Sequence, residues 1–431
     1  MRVLERFFRI PPRRILGALS AVMLLLSGAR FIQSPPCAAD DQTSNWWPVV
    51  NALLDGKGFT ECLPEYFPFC TADSPSAMRE PLPLLVHAGV AWVSGRSLIA
   101  ACVFQVLLNI LALWLLYLLG KRLLGERAGI IAAMIWTFYL PAYVAVLNIG
   151  GDQTATVLLL FAALSFERAC RGHGWKGLLL TGALFGLAGL SRSASVAFGI
   201  SAGLSWLFLN GIRGIKRQLV GAAALACGAA LAFTPWTVRN YLVFDKLVVG
   251  STLSGYNLLR HNSAITGDDY FHFVAVREGR AYLDAFMAAH PELTGEENEA
   301  EMNMLYAAAG KEVIAAHPVR YVKLSVYRSA MLWFNWRVND AYGKPSNHFD
   351  DAMALQQGLL LVLMVLGVFV MGAGKWPITL GVLFYCLLYM AVVARVRFLV
   401  PAMPFVIILS AAFIARMPGI RHGRVSEGGH A

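Results

Sequence analysis

The chain has 431 residues, of which 57% are hydrophobic and only 14% charged, and its mean hydropathy is +0.57. Soluble domains carry about 25% charged residues, so this composition excludes a soluble protein and indicates a chain that crosses a membrane several times. The net charge of +10 would suit nucleic-acid binding, but the cations stand in short segments between apolar runs, and no continuous basic face or base-stacking module is present. We therefore exclude nucleic acid as a partner and predict that the cations contact the lipid bilayer.

The N-terminus places several arginines before an apolar run from about Ile15 to Ala29. A cleaved signal peptide would look similar, but no small-residue cleavage site follows the run, which leads into Arg30. We predict a retained first helix whose N-terminus is cytoplasmic.

Ten apolar runs have about the length needed to cross roughly 30 Å of hydrocarbon. They lie near 15–33, 97–120, 128–147, 153–170, 177–191, 194–211, 218–236, 353–373, 376–394 and 398–415. With a cytoplasmic start, every strongly basic short connection falls on the cytoplasmic side. The prediction is an all-α polytopic membrane protein with about ten transmembrane helices and both termini cytoplasmic. The shorter run at 81–94 is predicted to be an interfacial or re-entrant helix, or the start of a tilted span.

This topology divides the chain into four parts. They are an N-terminal transmembrane catalytic module at 1–236, an α-rich extracytoplasmic segment at 237–352, C-terminal transmembrane helices at 353–415, and a cytoplasmic tail at 416–431. The first part includes an outward loop at 34–80 with interfacial helices, in which Cys62 and Cys70 could form a disulfide and leave Cys37 unpaired. In the outward segment, "GEENEAEMNMLYAAAGKEVIAAHP" predicts a helix, and "VRYVKLSVYRSAMLWFNW" predicts a helix on the membrane surface.

Charged residues gather at the predicted outward ends of the spans, against the usual excess of cations on the cytoplasmic side. The set comprises Asp40, Asp41, Arg79, Glu80, Asp152, Arg192, Arg239, Arg395 and Arg397. Taken singly, the arginines could extend to the membrane interface, and the aspartates could cap helices. Taken together, they predict a site for an anionic ligand that also needs a carboxylate.

Blocks along the whole chain resemble the GT-C superfamily of membrane glycosyltransferases, in particular bacterial members related to protein O-mannosyltransferases and aminoarabinose lipid A transferases. In chain order they are the acid after the first span, "NALLDGKGF", "MREPLPLLVHAGVAWVSG", "NIGGDQTATVLLLFAAL", "GLAGLSRSAS", "PWTVRNYLVFD", "GYNLLRHNSAITG", "HPVRYVKLSVYR" and "RVRFLVPAMPFVIILSAAF". "PWTVRN" is the most specific of them. Leu82 and Pro83 stand where Tyr-Pro is usual in the family, so the chain departs from the pattern at Leu82, and it departs again at Asp152, where a glutamate is usual.

The resemblance implies a sugar donor linked to polyprenyl phosphate, a hydroxyl acceptor on a lipid, glycan or protein, and transfer with inversion at the anomeric carbon. It also implies that the acid after the first span is the catalytic base. Many members have an Asp-Glu pair or a single Asp there, whereas this chain has Asp40 and Asp41. We favour Asp41 because its distance to the following aromatic and glycine residues fits better.

The chemistry of the residues agrees with this resemblance. Phosphate leaves as a stable anion, so one base and a set of arginines suffice for the transfer. Arg79, Arg192, Arg239, Arg395 and Arg397 are predicted to bind the donor phosphate, because a guanidinium donates two hydrogen bonds at once.

Four further residues are predicted to support the site or to bind sugar: Asp152, Trp46, Trp47 and His261. Interface anchoring is the alternative for the tryptophans, and a structural position in a loop is the alternative for the histidine. No His/Cys spacing predicts a zinc site, and no organic cofactor is predicted. Asp40, Asp41 and Asp152 could ligate a divalent cation, so the dependence on such a metal stays open.

Two other functions stay open at this stage. A transporter or flippase of lipid-linked glycans would use the arginines to escort a phosphate, although the charges lie at one edge and not near mid-membrane, where transporter sites concentrate. A non-catalytic scaffold with a GT-C-like fold would explain Leu82 and Asp152. We expect an enzyme of the cytoplasmic (inner) membrane whose active face is periplasmic.

Overall fold

The computed structural model describes residues 8, 10–33, 41–147, 149–209, 214–344, 347–372 and 374–417, with the backbone alone for 41–44, 173 and 209. These residues form helices joined by short connections and contain no β-strand. The all-α fold predicted from the sequence is therefore confirmed.

The chain up to residue 244 forms the first part of the helical bundle. Its helices are α1 (Pro12–Gln33), α2 (Asp41–Leu54), α3 (Pro81–Ser94), α4 (Leu98–Leu124), α5 (Glu126–Thr137), α6 (Leu140–Ala145), α7 (Asp152–Arg168), α8 (Gly174–Ser191), α9 (Val196–Leu209) and α10 (Ile215–Phe244). Each apolar run predicted in this part overlaps a helix, but the run at 128–147 is divided between α5 and α6. Pro141 stands in the first turn of α6. A proline there lacks only an N–H that would be unpaired anyway, so it starts a new helix.

The remaining helices form an upper segment, at 253–334, and a group of C-terminal apolar helices, at 348–414. They are α11 (Leu253–Ser263), α12 (Val276–Ala289), α13 (Glu299–Ala316), α14 (Pro318–Phe334), α15 (His348–Val370), α16 (Lys375–Val392) and α17 (Met403–Ile414). Helix α13 confirms the helix predicted for the acidic stretch, and it begins with a capping box in which Asn298 and Glu301 bond each other's backbone. The predicted surface helix is α14, whose exposed side carries Val319, Val322 and Val326; its place on a membrane stays a prediction.

The two ends of the bundle differ in their charged groups. The lower end is defined by Glu167, which pairs with Arg171 and with Arg122 at 3.3 Å. The upper end is defined by Asp152, Arg192 and the short 3₁₀ turn Val396–Leu399. Helix α7 runs from Asp152 at the upper end to Arg168 at the lower end, so the two ends are one helix length apart.

Helices α8 and α10 pack backbone against backbone. A Cβ at Gly182 would lie 2.0 Å from the carbonyl oxygen of Leu225, and a Cβ at Gly228 would lie 2.0 Å from that of Leu179. These distances are far below van der Waals contact, so glycine at both positions allows the close approach. The tight pair fixes the upper end of α8, which Arg192 follows directly.

The loop between α2 and α3 is joined to the upper segment. The predicted disulfide between Cys62 and Cys70 is present, and Cys62 packs in one apolar cluster with Tyr66, Tyr256 and Tyr306. Cys37 lies outside the described residues.

Among the described residues, α1, α4, α10, α15 and α16 are long and apolar enough to cross a membrane. Shorter apolar helices lie at Pro81–Ser94, Ser193–Phe208 and Met403–Ile414. The chain is a multi-pass membrane protein, while the number of about ten spans stays a prediction.

Candidate functional site

The centre of the upper end is an ion pair between the start of α7 and the end of α8. A Cβ at Gly151 would lie 2.0 Å from the carbonyl oxygen of Ser191, so only glycine lets the two chains approach this closely. The hydroxyl of Ser191 also donates to the carbonyl oxygen of Gly151 at 3.0 Å. This contact places Asp152 beside Arg192, with Oδ1 and Nε 2.7 Å apart and the side chains only 8% and 15% exposed.

Two arginines share one aromatic ring at this point. The guanidinium carbon of Arg192 lies 4.8 Å from the centroid of Phe398, and that of Arg397 lies 5.5 Å from the same centroid. The Nη2 atom of Arg192 is buried and has no hydrogen-bond partner among the described residues. We call Asp152, Arg192, Arg397 and Phe398 the rim cluster. It brings two guanidinium groups to one aromatic ring beside a buried carboxylate, and it leaves the buried Nη2 of Arg192 available as a donor.

Helix α3 brings a second acid and a third arginine to the rim cluster. Glu80 precedes α3, and its Oε1 accepts from the hydroxyl of Ser193 at 2.8 Å and from the amide of Ser193 at 3.3 Å. Since Ser193 follows Arg192 directly, this contact sets Glu80 next to the ion pair. The neighbouring Arg79 lies 5.8 Å from the ring of Trp46 on α2.

Helix α2 carries the residues predicted to act on the sugar. It begins at Asp41, whose side chain lies outside the described atoms, as Asp40 does altogether. Trp46 and Trp47 are buried in an apolar cluster with Leu84 and Ile149. The tryptophans therefore fasten α2 to α3, and their burial favours packing over sugar stacking.

Two tyrosines of α16 support the rim cluster and were missed by sequence reasoning. The hydroxyl of Tyr385 donates to the carbonyl oxygen of Phe398 at 2.8 Å, and the ring of Tyr389 stacks on that of Phe398 at 4.9 Å. The two tyrosines are four residues apart and lie on one helix face. That spacing, shortly before Arg395, is the signal that could have identified them.

Arg239 occupies a different position from the rim cluster. Its Nη2 donates to the carbonyl oxygen of Phe59 at 2.9 Å and its Nη1 to that of Ser76 at 3.1 Å. The guanidinium also lies over the rings of Phe59, Trp236 and Phe244, 5.1 to 5.6 Å from their centroids. Arg239 thus closes the two ends of the loop between α2 and α3 against α10.

Glu299, at the start of α13, completes this arrangement. Its Oε1 accepts from the amide of Ala77 at 2.8 Å and from the hydroxyl of Thr252, while the amide of Thr252 donates back to the carbonyl oxygen of Ala77 at 2.9 Å. Its Oε2 is buried with no hydrogen-bond partner among the described residues. Burial therefore raises the pKa of Glu299. We call Arg239, Glu299 and Thr252 the loop bracket.

Arg395 and His261 meet at Phe273. The guanidinium carbon of Arg395 lies 5.5 Å from the centroid of Phe273 and 5.2 Å from that of Tyr342. The ring of His261 lies 5.1 Å from Phe273. Burial, together with the positive charges of Arg260, Arg328 and Arg395, holds the pKa of His261 well below its usual value, so this imidazole is neutral.

A buried arginine that the sequence did not single out holds this region together. Arg328 on α14 donates to the side-chain oxygen of Asn262 at 3.0 Å, to the carbonyl oxygen of His261 at 2.6 Å, and to that of Ala391 at 3.1 Å. Burial lowers the pKa of Arg328 to about 10. Arg328 therefore joins α11, α14 and the end of α16. Arg395 comes shortly after that end of α16.

The predicted arginines thus divide among three places. Arg192 and Arg397 meet in the rim cluster, with Arg79 near it on the far side of Glu80. Arg395 stacks beside His261, and Arg239 belongs to the loop bracket. No group of three or more potential metal ligands occurs among the described residues.

Comparison with known proteins supports the resemblance read from the sequence. Residues 74–238 match the family described as dolichyl-phosphate-mannose-protein mannosyltransferase. This segment contains Arg79, Asp152 and Arg192. No sequence of a curated protein is significantly similar to the chain.

Three solved structures align with most of this chain, and the first of them shares its fold. The oligosaccharyltransferase AglB from Archaeoglobus fulgidus, in complex with an inhibitory peptide and a dolichol-phosphate, is 14% identical, with a TM-score of 0.57 over 95% of this chain and 50% of that chain. ArnT from Cupriavidus metallidurans is 11% identical in the apo state, with a TM-score of 0.41 over 92% and 76% of the two chains. Its complex with undecaprenyl phosphate is 14% identical, with a TM-score of 0.39 over 92% and 77%.

The chain spans about half the length of the archaeal oligosaccharyltransferase. The predicted resemblance to the GT-C superfamily of membrane glycosyltransferases is confirmed at the level of the fold.

Proposed function

We propose that the protein is a glycosyltransferase that moves a sugar from a polyprenyl-phosphate-linked donor to a hydroxyl group of an acceptor. Lipid-phosphate ligands are in keeping with the archaeal structure of the same fold, which is described with a dolichol-phosphate. The matching mannosyltransferase family is also named for a dolichyl-phosphate-linked sugar. The upper end of the bundle is the proposed site of transfer.

The observation that carries this proposal is the rim cluster. Two guanidinium groups lie on the ring of Phe398, and Asp152 orients that of Arg192 by holding its Nε. Two guanidinium groups at one ring, one of them with a buried donor that is not used, favour the binding of an anion. A phosphate monoester or diester has the charge and the acceptor oxygens to satisfy both arginines and the buried Nη2 of Arg192.

The proposed catalytic base is Asp41, with Asp40 as the alternative. The acceptor oxygen attacks the anomeric carbon from the face opposite the phosphate, and the base takes the hydroxyl proton. The bond between the anomeric carbon and the phosphate oxygen then breaks, and the polyprenyl phosphate leaves with the electron pair. The configuration inverts, and the arginines stabilise the charge that develops on the leaving phosphate. Phosphate is a good leaving group, so no general acid is needed.

Asp152 has a positioning function in this scheme. Its carboxylate holds Arg192 by Nε at 2.7 Å and leaves the two terminal nitrogens of the guanidinium for the donor. Glu80 fixes the following residue, Ser193, so that the backbone cannot carry Arg192 away from the ring of Phe398. Such support from neighbouring residues is what keeps a charged ligand group in a productive orientation.

We further propose that the upper end faces the extracytoplasmic side. Cations gather at the lower end, where they flank the ends of the apolar helices: Lys121, Arg122, Arg127, Arg168, Arg171, Lys176, Lys216, Arg217 and Lys375. An excess of Lys and Arg in short connections marks the cytoplasmic side of inner-membrane proteins.

The test measures donor binding and transfer separately. Purified protein in nanodiscs is titrated with undecaprenyl phosphate and with undecaprenol, which lacks the phosphate. We expect tight binding of the phosphate form alone, with the difference lost in Arg192→Gln and kept in Lys216→Gln, a cation at the other end of the bundle. Equal binding of both lipids by the native protein would reject the phosphate site.

Transfer is then followed with labelled undecaprenyl-phosphate sugars and candidate acceptors. Release of undecaprenyl phosphate with transfer or hydrolysis of the sugar supports the enzyme. Movement of intact donor across the bilayer without cleavage identifies a flippase, and binding with neither event identifies a scaffold.

A further inference from the structure

A cavity opens beside the upper segment, away from the rim cluster. It has a volume of about 500 Å³ and lies between the start of α12 and the turn Asp340–Tyr342. Its charged and aromatic lining residues are His272, Phe273, Arg277, Glu278, Arg337 and Asp340. We call this space the side cavity. No residue predicted from the sequence to belong to the site lines it.

The acids of the side cavity already have partners. The Oε1 of Glu278 accepts from the hydroxyl of Tyr282 at 3.0 Å and lies 2.8 Å from Nε2 of His272. The Oδ2 of Asp340 lies 3.3 Å from Nε of Arg337. Both carboxylates are therefore engaged by groups of the cavity wall.

The two cations of the side cavity differ in their partners. The side chain of Arg277 has no hydrogen bond or ion pair with any of the described residues. Arg337 donates from Nε to Asp340 and also forms a hydrogen bond with the hydroxyl of Tyr327, which leaves its other N–H groups for a ligand. The described lining thus holds two arginines and two carboxylates, and neither acid engages Arg277, so the guanidinium of Arg277 can bind a negatively charged group of a ligand.

One wall of the side cavity is shared with the proposed donor site. Phe273 lines the cavity, and its ring is also in contact with Arg395 at 5.5 Å and with His261 at 5.1 Å. A molecule in the side cavity would therefore lie one aromatic ring away from an arginine predicted to bind the donor phosphate. The lining is too highly charged for the prenyl chain of a donor.

We propose that the side cavity binds the acceptor through an anionic group, a phosphate or a carboxylate, carried by the acceptor. This proposal rests on the proposed glycosyltransferase function, because it assigns the second substrate of the same reaction. Arg277 and Arg337 bind the anionic group, and the acceptor extends past Phe273 toward the rim cluster. The specificity of the enzyme then depends on an acceptor charge that the transfer chemistry itself does not require.

The test reads the two arginines directly and needs no knowledge of the acceptor. Purified protein is modified with p-hydroxyphenylglyoxal, which reacts with arginine, and the modified sites are mapped by peptide mass spectrometry. Glucose 6-phosphate, glucuronate and glucose are compared as protecting compounds at matched ionic strength. Arg280 is the internal control, because it is exposed on the same helix and does not line the cavity.

We expect the anionic compounds to slow modification of Arg277 and Arg337, glucose to have no effect, and Arg280 to react at the same rate throughout. Protection by glucose 6-phosphate alone would assign a phosphate group, and protection by glucuronate alone a carboxylate. In Arg277→Gln, protection of Arg337 should need an about tenfold higher concentration of the anion, because a charged hydrogen bond is lost. Arg280→Gln should leave it unchanged.

Protection of Arg280 to the same degree as Arg277 would show general charge screening and overturn the proposal. So would equal protection by glucose, or none by either anion. Because the labelling is independent of transfer, a protein that transfers sugar but shows no protection would reject the acceptor site and leave the proposed function standing. A protein that shows protection but neither binds nor cleaves the lipid-linked donor would reject the function instead.

Discussion

Two arginines with similar sequence surroundings are used in different ways at the upper end. Arg192 and Arg239 both follow an apolar helix run, and both were predicted to bind the donor phosphate. In the rim cluster, Arg192 makes one ion pair and keeps a buried terminal nitrogen without a partner. In the loop bracket, Arg239 gives both terminal nitrogens to backbone carbonyls and lies among three aromatic rings.

The difference shows what separates a ligand-binding arginine from a structural one. A guanidinium whose nitrogens are all donated to the protein stabilises the fold and has little left for a ligand. A guanidinium that is oriented by one acid and left with free donors is arranged for an anion. We therefore expect changes in the rim cluster to affect donor binding and transfer, and changes in the loop bracket to affect stability.

The largest effect is expected at the proposed base, because it takes part in the chemical step itself. Asp41→Asn should lower the rate of transfer by about 10²–10⁴-fold, the usual contribution of a general base. Binding of undecaprenyl phosphate and the thermal unfolding temperature should stay close to those of the native protein. The rate is measured with saturating labelled donor, and Asp40→Asn is the matched control. Full activity in both variants would contradict the assignment of a base to this pair.

The next prediction separates two functions of Arg192 in the rim cluster, the binding of the donor phosphate and the ion pair with Asp152. Arg192→Gln should weaken undecaprenyl phosphate binding about 10- to 100-fold, because a charged hydrogen bond to the donor is lost. It should also destabilise the protein by about 3–5 kcal/mol, because Asp152 is left buried without its partner.

The double variant Asp152→Asn with Arg192→Gln removes both buried charges. We expect it to recover most of the stability of the native protein and none of the donor affinity. Stability is measured by thermal unfolding in detergent, and affinity by titration in nanodiscs. If the double variant bound the phosphate lipid as tightly as the native protein, Arg192 would not be a donor-binding residue. The weaker binding of Arg192→Gln alone would then come from the unpaired charge of Asp152.

A smaller effect, on stability alone, is expected in the loop bracket. Arg239→Lys keeps the charge but cannot reach the carbonyl oxygens of Phe59 and Ser76 together, so we expect a loss of about 1–3 kcal/mol. The loop between α2 and α3 should become more sensitive to protease, while donor affinity per folded molecule stays constant. A variant with native stability and weakened donor binding would move Arg239 back to the donor site.

The sequence predicted the helices of this fold well, because apolar runs bounded by cations are a strong signal. It also indicated that Asp152 and Arg192 lie at one end of the bundle. It could not show which arginines have free donors, since that depends on backbone carbonyls far away in the chain, such as Phe59 for Arg239. Tyr389 and Glu299 were missed for the same reason, because their partners are set by packing between distant helices.

The smallest expected effect is a pH dependence of protein stability that arises from Glu299 in the loop bracket. Burial raises the pKa of Glu299 above that of the unfolded chain, so the folded protein holds this proton more tightly. The stabilising contribution is full below the unfolded pKa and is lost as the pH rises through the folded pKa. Glu299→Gln keeps an oxygen toward Ala77 and Thr252 and imitates the protonated form at every pH.

Thermal unfolding of the native protein and of Glu299→Gln is therefore compared as the pH falls from neutral toward the unfolded pKa. The native protein should gain stability relative to the variant over this window, because acid restores the proton that the buried carboxyl needs. Glu296→Gln is the control, since it changes an exposed acid just before the same helix. Its stability relative to the native protein should stay the same over the whole pH window. A constant difference between the native protein and Glu299→Gln over the whole window would show that the carboxyl of Glu299 does not titrate there. The loop bracket would then be held together by hydrogen bonds alone.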